Sequence, residues 1–505
     1  MLPRARVAVV TTAVVVGLLV AGAAPAPAQV PAGPAVDAPT AALSLNLLWI
    51  VIGAALVVFM QAGFALVETG FCRAKHAAHV VSTNFMIFGL GFVGFFLVGY
   101  ALMFGGFSYP GYFGYDTALG GPLIQIGDWV ILWKGGFGLS GLGGPATAAP
   151  ILAFFLYMVA FMDTTATIPT GSMAERWRWS AFVWWGLFCG AVYYPVFGAW
   201  TWGGGWLNQL GNNLDLGFGY VDFAGSGVVH AVGGAAALAG AIVLGPRIGK
   251  FDADGTPRAL VGHNVPMAIL GALILLFGWF GFNAASTFAA TDIQFAVVAA
   301  NTGVAAAFGA VAAMVWVTRR LGKPDPSMMA NGMLAGLVAI TAPCAFVQPW
   351  AAAVIGVIAG VLVTESVWLV ERRLRIDDPV GAVSVHGVCG LFGVLAVGVF
   401  ADGSYGAGWN LTDTTVTAGH GVTGLLYDLE LGARQLGAQA VGALIICTAI
   451  FGLAYGFFSF QNRLTRGGIR SEEAAEIEGL DLAEMGVSAY HATEILGAEV
   501  RPRSG

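Results

Sequence analysis

Charge is what this chain of 505 residues has least of. Asp, Glu, Lys and Arg make up 10% of it, against about 25% in soluble globular proteins. So few ions cannot coat a water-exposed surface, which excludes a string of soluble domains of about 150 residues each. Cysteine is scarce as well: five scattered residues form no disulfide framework and no zinc-ligand spacing. A basic excess is missing too. The formal net charge is −6, the wrong sign for attraction to nucleic-acid phosphates, so no nucleic-acid partner is expected. What abounds is apolar surface, 57% of residues, and glycine, 74 residues, about twice the usual 7%. Small residues at that density let membrane helices approach closely. The composition is that of an all-α polytopic membrane protein.

Arg4 and Arg6 precede an apolar run from Val7 to Ala24 and the small-residue segment Ala26-Pro27-Ala28. This pattern predicts a signal peptide over residues 1–28, followed by an extracytoplasmic segment over 29–43. Eleven stretches are then apolar for long enough to cross about 30 Å of hydrocarbon. They lie near 44–67, 82–104, 148–171, 180–201, 224–245, 266–286, 294–318, 328–346, 351–371, 380–400 and 436–460, within a membrane domain of 44–460. With residue 40 outside, the inner loops and the tail hold 18 of the 22 Lys and Arg residues, and the outer loops only Lys134 and Arg434. That asymmetry predicts an external N-terminus and a cytoplasmic C-terminus in the plasma membrane. The acidic tail, 461–505, reads as a solvated cytoplasmic extension.

An internal repeat lies inside this pattern. DFAGSGVVHAVGG from Asp222 and DPVGAVSVHGVCG from Asp378 both spell D-x-x-G-x-x-x-V-H-x-x-x-G. The first opens span 5 at the outer face and the second opens span 10 at the inner face. Five spans separate them, an odd number, so the copies run in opposite directions. This is the signature of a five-plus-five inverted repeat (halves 44–245 and 266–400) with an eleventh helix added, an architecture whose substrate site lies between the halves. His230 and His386 each sit eight residues after their aspartate, about 12 Å along a helix, so both are expected near the midplane. Ionisable residues at that depth point to function because burying them is costly.

Two neutral imidazoles in contact share one hydrogen bond and still offer an acceptor to an N–H donor. Buried together, they should remain uncharged or hold at most one proton. Such a pair suits a small N–H donor able to lose a proton, and not Na⁺ or K⁺, which need several oxygen ligands. Asp222 and Asp378 are expected to cap their helices and, in addition, to hold a cation's charge near each mouth.

These residues resemble the ammonium transporter (Amt/Mep/Rh) family, in its bacterial form, from about residue 44 to the tail. The motifs are DFAGSGVVH at Asp222–His230, DDPVGAVSVHGVCG at Asp377–Gly390, GWFGFNAAS at Gly278–Ser286, ETGFCRAK at Glu68–Lys75 and AERW at Ala174–Trp177. The resemblance implies a homotrimer of eleven-helix subunits, each with a pore. Ammonium would be taken up from outside and conducted as ammonia, with the proton handled separately. It implies that His230 and His386 are the pore pair, Phe161 and Phe282 the outer gate, and Trp202 and Ser286, with Asp222 beside them, the outer recruitment site. Aromatic faces attract a cation by about 0.5–2 kcal/mol each, which fits that last role. No cofactor is implied. A PII-type signalling protein at the cytoplasmic face is the regulatory partner that it suggests.

Three features depart from the family pattern. Tyr157 and Met158 stand where many members have Phe and Gln. Asp163 puts a carboxyl within span 3, two positions past the gate, where it would serve as an interhelical hydrogen-bond partner or mark an altered conduction or sensing route. Met485 of GLDLAEMGVSAY stands where a histidine is usual. Two alternatives to transport stay open: an ammonium sensor signalling through the tail, and an Rh-type neutral gas channel. Other signals carry little. Gly136, Gly138 and Gly141 match G-x-G-x-x-G without its strand–helix context, and His76 and His79 read as a solvated surface pair. Cys389 near His386 lacks a carboxylate orienter, so no enzyme is expected.

Overall fold

The structure, a computed structural model, describes residues 37–109, 113–415 and 417–490. The predicted signal peptide, most of the segment after it and residues 491–505 lie outside that range. The described residues up to Ser44 form one unit and those from Leu45 another. In the first, Asp37 opens a helix by accepting from the Thr40 amide at 2.9 Å.

The membrane domain is helical. Among the described residues ten helices are long and apolar enough to span a bilayer: α1 (Ala38–Phe71), α2 (Ala74–Phe104), α3 (Pro145–Ser172), α4 (Trp179–Trp200), α5 (Ser226–Leu244), α6 (Val265–Thr287), α7 (Gln294–Leu321), α9 (Pro349–Arg373), α10 (Val383–Phe400) and α11 (Leu429–Leu464). A shorter apolar helix, α8 (Pro326–Ile340), completes the eleven that the sequence predicts. Local chemistry fixes where several of them begin. The side chains of Asn264, Asp325 and Asp428 accept from backbone amides at the starts of α6, α8 and α11, groups that have no partner inside a helix. Proline occupies the first turn of α3, α8 and α9, where its missing N–H costs nothing.

The two halves repeat each other's packing. In the first, α2 packs on α3 and α4, and α3 on α5; in the second, α7 packs on α8 and α9, and α8 on α10. Across the halves α1 and α6 run antiparallel and close, Gly53 meeting Gly281 and Gly63 meeting Gly271. The eleventh helix packs on α5 and α10. Large apolar side chains such as Phe85, Phe277 and Leu444 are exposed on the outside of the bundle, as a lipid-facing surface requires.

Three expectations need correction. The segment between α2 and α3, expected only as a loop, contains an antiparallel hairpin of β1 (Gly121–Ile126) and β2 (Trp129–Lys134), turning at Gly127, whose φ is 56°. The tail is not a solvated extension. Ile469 and Leu480 are buried, and so are two of its acidic groups: Glu476 accepts from the Ile248 amide (2.6 Å) and from Arg470 of the tail itself (2.7 Å), and Asp481 from the His79 amide (3.0 Å). His76 and His79 therefore lie under it at 0% and 1% exposure. His76 Nδ1 accepts from the Leu480 amide at 3.2 Å. Among the described residues no cluster of three or more His, Cys, Asp or Glu side chains could hold a metal.

Candidate functional site

The site is built by the repeated motif. α5 and α10 begin later than the sequence predicts, at Ser226 and Val383, so the histidines lie in the first turns of their helices and not eight residues inside. The preceding segments run in non-helical, and the two aspartates hold the junctions. Asp222 accepts from the amides of Gly225, Gly227 and Val228, each at 2.8 Å, and Asp378 from those of Ala382 (3.0 Å) and Val383 (2.7 Å). Burial outweighs these donors and pushes both carboxyls up to about 6. Each histidine also sits in a π-helical turn, Ser226–Ala231 and Val383–Val388, a wider winding that redirects side chains and concentrates at functional positions.

The redirected rings meet. His230 Nδ1 and His386 Nδ1 are 3.2 Å apart, with ring centroids 5.2 Å apart and planes at 25°. A bond between like nitrogens forces opposite tautomers on a neutral pair. One ring then keeps an acceptor at Nε2 and the other an N–H donor. His230 Nε2 is buried without a partner among the described residues. That ring lies between Trp279 (4.9 Å, 19°) and His386, with Phe282 at 5.4 Å. Trp279 escaped the sequence reading, although it stands within the GWFGFNAAS motif.

Above His230 the aromatic side chains continue. Phe282 stacks on Phe161 at 4.0 Å and 24°, and Phe161 meets Trp202 edge-on at 5.8 Å. Trp202 is aimed by its indole N–H, which donates to the Asp222 carbonyl at 2.7 Å. The Ser286 hydroxyl donates to the Phe282 carbonyl at 2.8 Å, leaving its lone pairs for an incoming N–H. Tyr157 packs on Phe161 at 4.7 Å and brings its hydroxyl within 3.1 Å of Ser286 Oγ. Its family-atypical hydroxyl is thus a neighbour of the serine. Asp163 is different: it is 2% exposed, and its Oδ1 finds no hydrogen-bond partner among the described residues.

Arg73 of ETGFCRAK and Glu175 and Arg176 of AERW lie apart from the histidines, in an ion network beside the tail, whereas Glu68 of ETGFCRAK shares a cavity with His386. Glu175 bridges Arg73 (2.5 Å) and Arg247 (3.0 Å), and Arg247 reaches Asp377 (2.9 Å). Burial opposes the Asp377 charge, but Arg176 and Arg247 outweigh it and hold that carboxyl well below the usual carboxylate range. Buried Arg176 donates to the Asp377 carbonyl at 2.8 Å.

Two inverted helix bundles joined at a buried imidazole pair, under an aromatic column, define a membrane transporter for a small polar solute. The chain belongs to the Ammonium Transporter Family, whose model matches residues 48–490, and its function is ammonium transport. It is similar to Ammonium transporter Amt2 of Archaeoglobus fulgidus, with 44% identity over 89% of this chain and 88% of that one. Ammonium transporter Amt1 of Haloferax mediterranei is 36% identical over 90% and 81%. Among solved structures it resembles one titled Sensor Amt Protein (TM-score 0.74, 34% identity, 88% of this chain and 99% of that chain). Candida albicans Mep2 matches with a TM-score of 0.71 and 28% identity over 88% and 90%.

Proposed function

We propose that ammonium is recruited from outside at Trp202 and Ser286, loses its proton behind the Phe161–Phe282 stack, and crosses as ammonia beside His230 and His386. The observation that carries this reading is the 3.2 Å contact between the two Nδ1 atoms. A paired histidine has one nitrogen to receive an N–H and another to donate one, which suits ammonia and not an alkali ion. The aromatic stack offers face attraction to a cation but no hydration shell, so the ion is drawn in and does not pass whole. Asp222 contributes by aiming Trp202 and capping α5, and Asp378 by capping α10 at the inner mouth. We assign Asp163 no step in the passage. On the family resemblance the assembly is a homotrimer in the plasma membrane, with the N-terminus outside. The docked tail is then the cytoplasmic surface that a PII-type signalling protein would meet.

A sensor is the second reading. It is favoured by the likeness to the structure titled Sensor Amt Protein and by the tail's hydrogen bonds to the inner loops. Currents on solid-supported membranes carrying proteoliposomes separate the readings when ammonium is added. A carrier of the ion's charge gives a transport current whose decay slows as the lipid-to-protein ratio rises, because fewer carriers charge each vesicle. A sensor gives only a binding transient, and a neutral gas channel gives no current.

A further inference from the structure

On the other side of the histidine pair, a cavity of about 20 Å³ is lined by His386, Phe64, Glu68, Ile168, Asn331 and Val380. That is room for one molecule the size of water or ammonia. Glu68, on α1, is 2% exposed. Its carboxyl accepts from Asn84 Nδ2 at 2.6 Å and from the Thr170 hydroxyl, 2.9 Å from each oxygen. Asn84 Oδ1 accepts in turn from the Thr167 hydroxyl at 3.1 Å. Every partner of this carboxyl is neutral. Among the described residues it makes no ion pair, and the charge that acts on it, Asp378, is also acidic. An unpaired carboxylate is costly inside a membrane, so the group is completed only by a proton or a small cation.

Resting on the histidine-passage reading, we propose that Glu68 is an inner ammonium site, where ammonia leaving His386 is met and held as the ion. The neutral carboxyl facing ammonia and the carboxylate facing ammonium contain the same atoms. The carboxyl O–H bond breaks with its electron pair left on oxygen, and ammonia's lone pair forms the fourth N–H bond. Ammonium then departs into the inner water, and the carboxylate takes as its next proton the one that ammonium gave up outside, which crosses apart from ammonia, so that one charge moves per cycle. A carboxyl that served only to staple α1, α2 and α3 would need neither the cavity nor the histidine beside it.

The test compares wild type, Glu68→Gln and Glu68→Asp in oriented proteoliposomes, with ammonium chloride supplied on one side or the other. Gln should raise the half-saturating inner concentration about tenfold or more, and shift the outer value far less. Asp, which keeps the charge, should restore inner affinity. Equal shifts on both sides, or an unchanged inner value in Gln, would overturn the assignment. Absence of current in wild type would instead overturn the histidine passage, and this site with it. Should the variants not fold, wild-type crystals soaked in thallium, a monovalent ion close to ammonium in size, provide the check. Thallium against the Glu68 carboxyl supports the site, and thallium confined to the outer mouth contradicts it.

Discussion

A Cβ on Gly234 would lie 2.2 Å from the backbone nitrogen of Gly387. Gly234 is one helical turn beyond His230, on the same face, and Gly387 directly follows His386. α5 and α10 therefore touch backbone to backbone where the imidazoles meet. Antiparallel approach continues along both helices, since a Cβ on Gly390 would lie 2.5 Å from the Ser226 carbonyl oxygen.

Gly234→Ala should push the two helices apart, at about 1–3 kcal/mol for overpacking, and separate the rings. Ammonium-driven current per molecule is expected to fall about tenfold or more while the protein still reaches the membrane. Wild-type current in this variant would mean that the close approach is dispensable.

At the outer mouth, Trp202→Leu removes a cation-attracting face worth about 0.5–2 kcal/mol. The half-saturating outer ammonium concentration should rise by about two- to thirtyfold. The maximal current should change much less. Concentration series on proteoliposomes provide the measurement, and a fall in maximal current at constant half-saturation would refute a recruitment role.

The ion network around Glu175 makes a stability prediction. Arg247→Met leaves Glu175 and Asp377 buried without their shared cation, which should cost about 3–5 kcal/mol, read as a lower melting temperature in detergent. The sign of the pH dependence follows from Asp377. Its folded carboxyl lies below the ordinary range, so its stabilisation is complete above about pH 4 and fades as pH falls through the folded value. Arg247→Met should flatten that acid dependence.

For the tail, Glu476→Ala removes the acceptor of the Ile248 amide and of Arg470. The half-buried donors left behind should weaken docking by about 1 kcal/mol. Limited proteolysis should then cut the tail much faster than in wild type. An unchanged cleavage rate would place the docking energy elsewhere.

Much of this architecture was legible from apolar run length alone, because a bilayer sets helix length more rigidly than a soluble core does. The histidine pair was legible because the Asp222 and Asp378 motifs match at an odd number of spans. Their helical context was not: the sequence carries no mark of the π-helical turns at His230 and His386, which arise from tertiary fit. Docking of the tail was equally hidden. Glu476 and Asp481 look like solvated acids until the amides of Ile248 and His79 are seen beside them. The hairpin at Gly121–Lys134 was masked because its strands are short and apolar like the spans around them, although Gly127-Asp128 is a turn signal. Glu68 stood inside a recognised motif, but its cavity joins side chains more than 300 residues apart in sequence.

The most direct test of the histidine passage is the ion selectivity of currents through His230→Ala and His386→Ala in proteoliposomes, with ammonium and potassium supplied in turn. The account predicts that each variant loses selective ammonium current, and that potassium is carried if any current survives. Ammonium current of wild-type size and selectivity in both variants would contradict it.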